Sequence, residues 1–164
     1  MHSFLAKSEN TCYLVNDPLL SAKYVIRLNS GRLGHHQPHL IASEMMWLIA
    51  LRNNSNVLVP QVLPAKDGSL VQTIHKPGLG KPKNAVIYSF LPGVEPTNHD
   101  MSRNFVRLGE LCAHLHLHAK SWIPPDNFAR PSWTPNVILD DQMGFGPWQK
   151  GVDVRGDTLA LFSR

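Results

Sequence analysis

Cysteine, long apolar runs and clustered charge of one sign are all scarce in this chain, and each absence excludes a class of protein. The only cysteines are Cys12 and Cys112, which lie far apart and form no CxxC pair. They exclude a disulfide framework and a cysteine zinc site, and they are typical of free thiols in a reducing compartment. The longest apolar run, residues 45–51, is too short to cross a bilayer, and the N-terminal residues contain no apolar segment of signal-peptide length. We therefore expect a soluble, cytoplasmic protein without a membrane partner.

The charge balance is mildly basic, with 16 Lys and Arg against 12 Asp and Glu and a net charge of +4. Such a balance suits an anionic ligand such as a nucleotide. The basic residues are scattered and form no cluster, so the pattern disfavours nucleic acid as a partner. With 164 residues, 43% of them hydrophobic, the chain is long and apolar enough to fold around a core.

The hydrophobic pattern predicts strands and one helix in the order β-β-α-β-β-β, followed by a second helix. The β-prone runs alternate with turn signals, whereas the helical segments are longer and rich in Leu, Met and Ala. Asp67 and Gly68 mark the turn of a hairpin whose first arm is broken by prolines. The predicted elements are strands 12–15 and 23–28, a buried helix 39–52, a hairpin around Asp67–Gly68, a central strand 85–91 and a helix 101–122.

Three histidines alternate with leucines in the segment CAHLHLHAK, residues 112–120. Apolar residues on either side recur at spacings of three and four, which predicts a helix rather than a strand. On that helix His116 and His118 flank the apolar face and His114 points away from it. Three histidines spread in this way cannot converge on one metal ion, and no HExxH motif is present. We therefore predict no metal site, with His116 and His118 hydrogen-bonded near the core.

Two charged residues stand out within apolar surroundings. Glu44 lies in the middle of the predicted helix 39–52, and Arg27 interrupts the strand before it. A carboxylate in an apolar helix is unfavourable unless it meets a positive partner, which suggests an ion pair between the two residues. Equally, Glu44 could reach solvent while Arg27 lies on an exposed strand face. The residues alone leave both arrangements open.

The order of several short segments resembles the order found in one enzyme family. The segments run from a polar loop, through the strand with Arg27 and the helix with Glu44, to a long helix whose sequence fits the pattern LGxLxAxLHxxA. They read SENTCYLV, KYVIRL, SEMMWLIAL, LVPQV, IYSFLPG, LGELCAHLHLHAKSW, RPSW and GFGPW. In this respect the chain resembles the aminoglycoside phosphotransferase and choline-kinase-like family, which shares the protein-kinase fold. The similarity extends over nearly the whole chain.

The resemblance implies an α+β fold in two parts. Residues 1–95 would form a kinase-like small lobe, an antiparallel sheet with one helix, together with the hinge. Residues 96–164 would begin a large lobe that stops before the catalytic loop. The family uses ATP and Mg²⁺ and transfers the γ-phosphate to a hydroxyl. The implied partners are a nucleotide and a small hydroxylated acceptor whose identity the sequence does not give.

The resemblance also implies a set of nucleotide-binding residues. Arg27 would contact the α- and β-phosphates, and Glu44 would orient it. Ser8 and Asn10 would lie in the loop over the phosphates, although the same residues also fit an ordinary polar turn. The adenine ring would meet backbone groups of the hinge at Ser89, Phe90 and Leu91.

The catalytic motifs of the family are absent from this sequence. Kinase-type transfer uses an H-x-D-x-x-x-x-N loop and a later D-x-D or D-F-G. None of the nine histidines is followed two residues later by Asp, and no later aspartate carries the metal-binding pattern. We therefore expect no catalytic or metal-binding residue in this chain. The sequence predicts the N-terminal fragment of a phosphotransferase, inactive by itself.

A second interpretation is a stand-alone binding or regulatory module built on a kinase-like small lobe. The predicted helix 101–122 has a wide apolar face that would pack against helices missing from this chain. An exposed face of that size favours self-association or a protein partner. The proline- and tryptophan-rich segment after this helix fits the same interpretation.

Overall fold

The computed structural model describes residues 2–29, 37–75, 78, 81–94, 97, 100–134, 148–151 and 154. Its regular elements form one six-stranded antiparallel sheet, two α-helices and a short 3₁₀ helix. The elements are β1 (His2–Lys7), β2 (Asn10–Asp17), β3 (Ala22–Asn29), α1 (Pro38–Asn54), β4 (Val62–Leu63), β5 (Gln72–Ile74), β6 (Lys83–Ser89), α2 (Met101–Ser121) and the 3₁₀ turn Trp148–Lys150. The predicted α+β class is confirmed. The predicted boundary between residues 95 and 96 lies outside the described residues and stays a prediction.

The sheet has the order β1-β2-β3-β6-β4, with β5 also paired to β6. Strand β6 is therefore central, as its continuous apolar run predicts. Strand β1 is an addition to the predicted order. All six of its residues are exposed, so it shows no buried-face alternation that a sequence pattern could reveal. Its pairing with β2 holds it in the sheet, with an irregularity between Phe4 and Ala6.

The predicted hairpin around Asp67–Gly68 is wrong in its pairing, although its turn is present. Leu63 pairs with Ile87 and Gln72 pairs with Ala85, so β4 and β5 follow β6 in one direction. They are successive parts of a single edge strand, separated by residues 64–71. A proline at residue 64 has no N–H for the ladder, which explains the interruption there.

Helix α1 packs on one face of this sheet. It begins with Pro38, whose missing N–H is not needed in a first helical turn. The fully buried side chains of Ile41 and Met45 meet Val86 of β6, which is 1% exposed. The core cluster consists of Ile41, Met45, Val62, Val86 and Tyr88.

Helix α2 contributes little to that core. His118 is its one buried residue, and its Nδ1 accepts a hydrogen bond of 3.3 Å from the Trp47 indole of α1. The prediction for His118 is thus confirmed, but His116 is exposed and the prediction for that residue is wrong. The hydrogen bond between α1 and α2 lies near the C-terminal end of α2, and the flank of α2 that carries His116 is exposed. Large apolar side chains of α2 are between 41% and 64% exposed: Met101, Phe105, Val106, Leu108, Leu111 and Leu117. Neither helix is long and apolar enough to cross a membrane, within the part of the chain that the structure describes.

Candidate nucleotide-binding site

Arg27 and Glu44 form a bidentate ion pair between β3 and α1. Arg27 Nη1 donates to Glu44 Oε1 at 2.7 Å, and Nη2 donates to Oε2 at 3.0 Å. The two side chains are 17% and 29% exposed. Arg27 points to the helix because it lies two residues after Val25 on the same face of β3, and Val25 packs against the core under α1. The arrangement in which both groups face solvent is therefore excluded.

The electrostatic surroundings keep the Arg27 guanidinium charged. Burial acts to lower the pKa of Arg27, but the hydrogen bond to Glu44 and the interaction with Tyr88 outweigh it, so that the pKa rises. The Arg27 guanidinium carbon lies 5.5 Å from the centroid of the Tyr88 ring, a cation–π geometry. A fixed, permanently charged fork of this kind suits a phosphate oxygen.

Several polar atoms near this pair have no partner in the described part of the chain. They include Arg27 Nε and the Tyr88 hydroxyl, both buried. The Oδ1 atoms of Asn10 and Asn29 are also buried and unpaired there. Asn10 and Asn29 are directly opposite each other in the β2–β3 ladder, two pairs along from Arg27, which is opposite Cys12. The same face of the sheet therefore carries the cation and two amides side by side.

The loop between β1 and β2 is short. Ser8 N–H donates to Asn10 O at 3.0 Å, and Lys7 already pairs with Thr11. Ser8 is exposed, whereas Asn10 is half-buried at the start of β2. The two residues lie at the same end of the sheet as Asn29, where β3 ends. A role for Ser8 and Asn10 over phosphates remains a prediction.

The backbone N–H groups of residues 89–91, at the end of β6, differ in whether they are already hydrogen-bonded. Ser89 N–H donates to Gln61 O at 2.8 Å, and Phe90 N–H donates to Lys23 O at 3.0 Å. These two donors are therefore occupied by the fold itself. Leu91 N–H has no backbone acceptor among the described residues. Of the three predicted hinge residues, Leu91 is thus the one with an available donor.

No group of three or more His, Cys, Asp or Glu side chains that could hold a metal ion occurs within the described ranges. His114 and His118 lie one turn apart on α2, but His118 is buried against Trp47 while His114 is exposed. The region around Asp140, Asp153 and Asp157 lies outside the described residues. The ion pair, the two amides and the available amide of Leu91 are therefore the chemistry that the described site offers.

Two solved structures that share this fold are structures of kinases. The structure of the microcompartment-associated aminopropanol kinase is 36% identical to this chain, with a TM-score of 0.81, and it aligns over 100% of this chain and 49% of its own length. This chain belongs to the aminoglycoside phosphotransferase-like kinases. It spans about half the length of that relative. No protein-family model and no curated protein matches the chain.

A second kinase shares the fold at lower identity. Amicoumacin kinase hAmiN, solved in complex with AMP-PNP, Ca²⁺ and Ami, has a TM-score of 0.68 and 22% identity, over 84% of this chain and 40% of its own. The two comparisons confirm the kinase-like small lobe followed by part of a large lobe. Within that family fold, Arg27 lies on the third strand and Glu44 on the helix that follows it.

Sequence reasoning missed two residues of the candidate site. The sequence pattern marks Tyr88 only as part of an apolar strand, although it lies two residues beyond Val86 and so shares its inward face. Asn29 closes β3 two residues after Arg27, which places it on the same side of the sheet. In both cases the period of two along a strand carries the signal.

Proposed function

We propose that this chain is the nucleotide-binding part of an ATP-dependent phosphotransferase of the aminoglycoside phosphotransferase-like family. ATP, accompanied by Mg²⁺, binds at the face of the sheet that carries Arg27. The acceptor is a small hydroxylated molecule. An amino alcohol is the first candidate, because the 36% identical relative is an aminopropanol kinase.

The observation that carries this proposal is the bidentate pair between Arg27 and Glu44. The two parallel hydrogen bonds of the pair fix the direction of the partly buried guanidinium. Nη1 and Nη2 each donate one hydrogen bond to Glu44, and the buried Nε is the guanidinium nitrogen that lacks a partner in the described part of the chain. An α- or β-phosphate beside this charge would gain a charge-assisted contact with a guanidinium that is already held in place.

The segment after β6 supports the adenine end of the same site. Tyr88 contacts Arg27 through its ring and directly precedes residues 89–91. The ring therefore links the phosphate-binding cation with the segment that offers the Leu91 amide. We propose that Leu91 N–H donates to the adenine ring. The N–H groups of Ser89 and Phe90 are already bonded within the fold, so these two residues would border the ring without donating to it.

The chain by itself is proposed to be inactive in phosphoryl transfer. The sequence has no H-x-D-x-x-x-x-N motif and no D-x-D or D-F-G motif of the metal-binding type. Without these residues nothing orients the acceptor hydroxyl or holds Mg²⁺ against the transferred phosphate. The bound nucleotide would therefore stay intact.

Titration of a fluorescent ATP analogue with Mg²⁺ tests the proposal. We expect saturable binding by the wild-type chain that unlabelled ATP displaces. Arg27→Met should weaken it at least about tenfold, because a phosphate contact from a charged group contributes about 1.5–3 kcal/mol.

Arg52→Met is the matched control. Arg52 donates to a backbone carbonyl, Val59 O at 3.2 Å, and contacts no carboxylate in the described structure. It should leave the affinity unchanged. Equal loss in both variants, or no binding by the wild-type chain, would contradict the proposal.

A second function is favoured by one observation, the exposed apolar side of α2. Phe105 is 62% exposed and Val106 is 64% exposed. Patches of this kind mark protein–protein contacts. A stand-alone binding module would use this helix for a partner and would need no phosphotransfer. Monomeric behaviour at every concentration, together with no binding of an apolar dye, would count against this function.

A further inference from the structure

The segment that follows α2, residues 122–130, returns to α1 and is bonded to it. We call this stretch the return segment. Ala129 N–H donates to Ser43 Oγ at 2.9 Å, and Arg130 Nη1 donates to Leu40 O at 3.1 Å. Both acceptors belong to the helix that carries Glu44. The return segment therefore has two hydrogen bonds to this helix, within one turn of the ion pair.

The first of these hydrogen bonds is accepted by Ser43, whose side chain is fully buried. It is 0% exposed, and its hydroxyl donates to His39 O at 2.9 Å while it accepts the Ala129 amide. A buried hydroxyl with both functions satisfied is favourable only as long as both partners stay in place. Rotation of α1 about its axis would break this contact.

Arg130 makes the second link, and it also approaches the ion pair. Its Nη1 lies 3.9 Å from Glu44 Oε2, the oxygen that accepts from Arg27 Nη2. Leu40 and Glu44 are four residues apart on α1, so they lie above one another on the same helix face. The guanidinium of Arg130 therefore spans a backbone carbonyl and the Glu44 carboxylate at once.

Aromatic contacts fix the other end of the return segment. Trp122 packs edge-on against Phe128 with ring centroids 4.9 Å apart, and it stacks on His118 at 6.1 Å. His118 in turn accepts the indole hydrogen of Trp47 on α1. Both ends of the segment are therefore held against α1, which keeps the backbone of Arg130 beside Leu40 and Glu44.

We propose that Arg130 is a positioning residue for the nucleotide site. It acts through Glu44: its charge and its bond to the Leu40 carbonyl hold the carboxylate in the orientation that fixes the Arg27 guanidinium. Its effect on ATP binding rests on the function proposed above. Its effect on the geometry of Arg27 does not depend on that function.

The experiment uses two measurements on the full chain. The first is the side-chain Nε–H resonance of Arg27 in arginine-labelled protein without nucleotide, observed by NMR. The second is the affinity for the fluorescent ATP analogue. We expect Arg130→Gln to shift the Arg27 resonance and to weaken ATP binding by about threefold to tenfold, the range typical of residues coupled within one charged network. A role confined to holding the backbone would not move the Arg27 resonance.

Three further variants sharpen the result. Arg52→Gln removes a guanidinium that, like that of Arg130, donates to a backbone carbonyl, and it should change neither measurement. Arg130→Lys keeps the charge and should recover part of the affinity. In a Glu44→Gln background, Arg130→Gln should add less than about a twofold effect, because the residue through which it acts is already altered. Arg130→Ala replaces Arg130→Gln if that variant does not fold.

The outcomes separate the two proposals. If the Arg27 resonance is unchanged in both Arg130→Gln and Arg130→Ala, the positioning role is refuted whatever happens to ATP. If the resonance shifts although the wild-type chain binds no ATP, Arg130 positions Arg27 and the proposed function fails. If the effects of Arg130→Gln and Glu44→Gln are fully additive, Arg130 does not act through Glu44 and the proposal is also overturned.

Discussion

The ion pair between Arg27 and Glu44 should be the strongest single link between β3 and α1, and its strength can be measured. Glu44→Gln keeps the size of the side chain but removes its charge and turns one acceptor into a donor facing Arg27. The two hydrogen bonds lost or weakened have lengths of 2.7 and 3.0 Å. Removing one member of a fully buried pair costs about 3–5 kcal/mol, whereas exposed pairs contribute about 0.2–1 kcal/mol. With side chains 17% and 29% exposed, this pair lies between the two cases.

We therefore expect Glu44→Gln to lower the free energy of unfolding by about 2 kcal/mol, intermediate between those limits. For a chain of this length that corresponds to a fall in Tm of about 4–8 °C. Urea unfolding followed by circular dichroism measures the change for Glu44→Gln, Arg27→Met and the double variant. Arg52→Met on the same helix serves as the control for loss of a guanidinium alone.

The coupling energy between Glu44→Gln and Arg27→Met shows whether the two residues stabilise the fold as a pair. If the residues act as a pair, the double variant should be more stable than the sum of the single losses predicts, by about 1–2 kcal/mol. A coupling within about 0.3 kcal/mol of zero, the range found for independent sites, would refute the reasoning. It would mean that the sheet and α1 are held together by the apolar core alone.

Three further results are expected. Burial raises the pKa of the Tyr88 hydroxyl, and nearby Arg27 opposes only part of this effect, so the folded state resists ionisation of Tyr88. The free energy of unfolding should therefore be unaffected by Tyr88 below its ordinary pKa of 10.0 and should fall as the pH rises above it. In urea unfolding between about pH 9 and 11, Tyr88→Phe should lose less stability than the wild-type chain. Gly68 has a φ of +82°, so Gly68→Ala should destabilise the chain by about 1 kcal/mol in the same assay. It should leave ATP affinity unchanged, because a Cβ at this position meets no other atom within 4 Å. An unchanged midpoint would contradict the left-handed turn. Phe105→Glu should reduce self-association in concentration-dependent light scattering, because Phe105 is 62% exposed on α2, whereas Leu19→Glu, at a 93% exposed turn position, should not; a wild-type chain that stays monomeric throughout would refute association through α2.

The sequence predicted those elements whose residues carry a strong period or a long apolar run. Helix α1 and the central strand β6 were found within two residues of their bounds, because burial on the sheet imposes a pattern. Strand β1 left no such pattern since all of its residues are exposed. Strands β4 and β5 were misjudged because the turn signal of Asp67 and Gly68 is the same whether the flanking strands pair with each other or with a third strand.

The site shows a similar division between local and long-range information. Arg27 and Glu44 could be singled out as unusual charges, but their spacing could not decide between pairing and exposure. That decision depends on how α1 is rotated over β3, which the packing of Ile41 and Met45 determines. Arg130 could not be found at all, because its contact with Leu40 joins residues 90 positions apart in the chain. His116 was misplaced since no described element covers its flank of α2.

The most direct test of the account is backbone hydrogen exchange of the chain with and without MgATP. The account predicts slower exchange at Leu91, whose amide has no backbone acceptor in the described structure, and at residues 8–10 of the β1–β2 loop. Exchange in α2 should not change, since that helix contributes nothing to the proposed nucleotide site. Unchanged exchange at Leu91 and residues 8–10 under saturating MgATP, or protection confined to α2, would contradict the claim that this lobe binds the nucleotide through the face that carries Arg27.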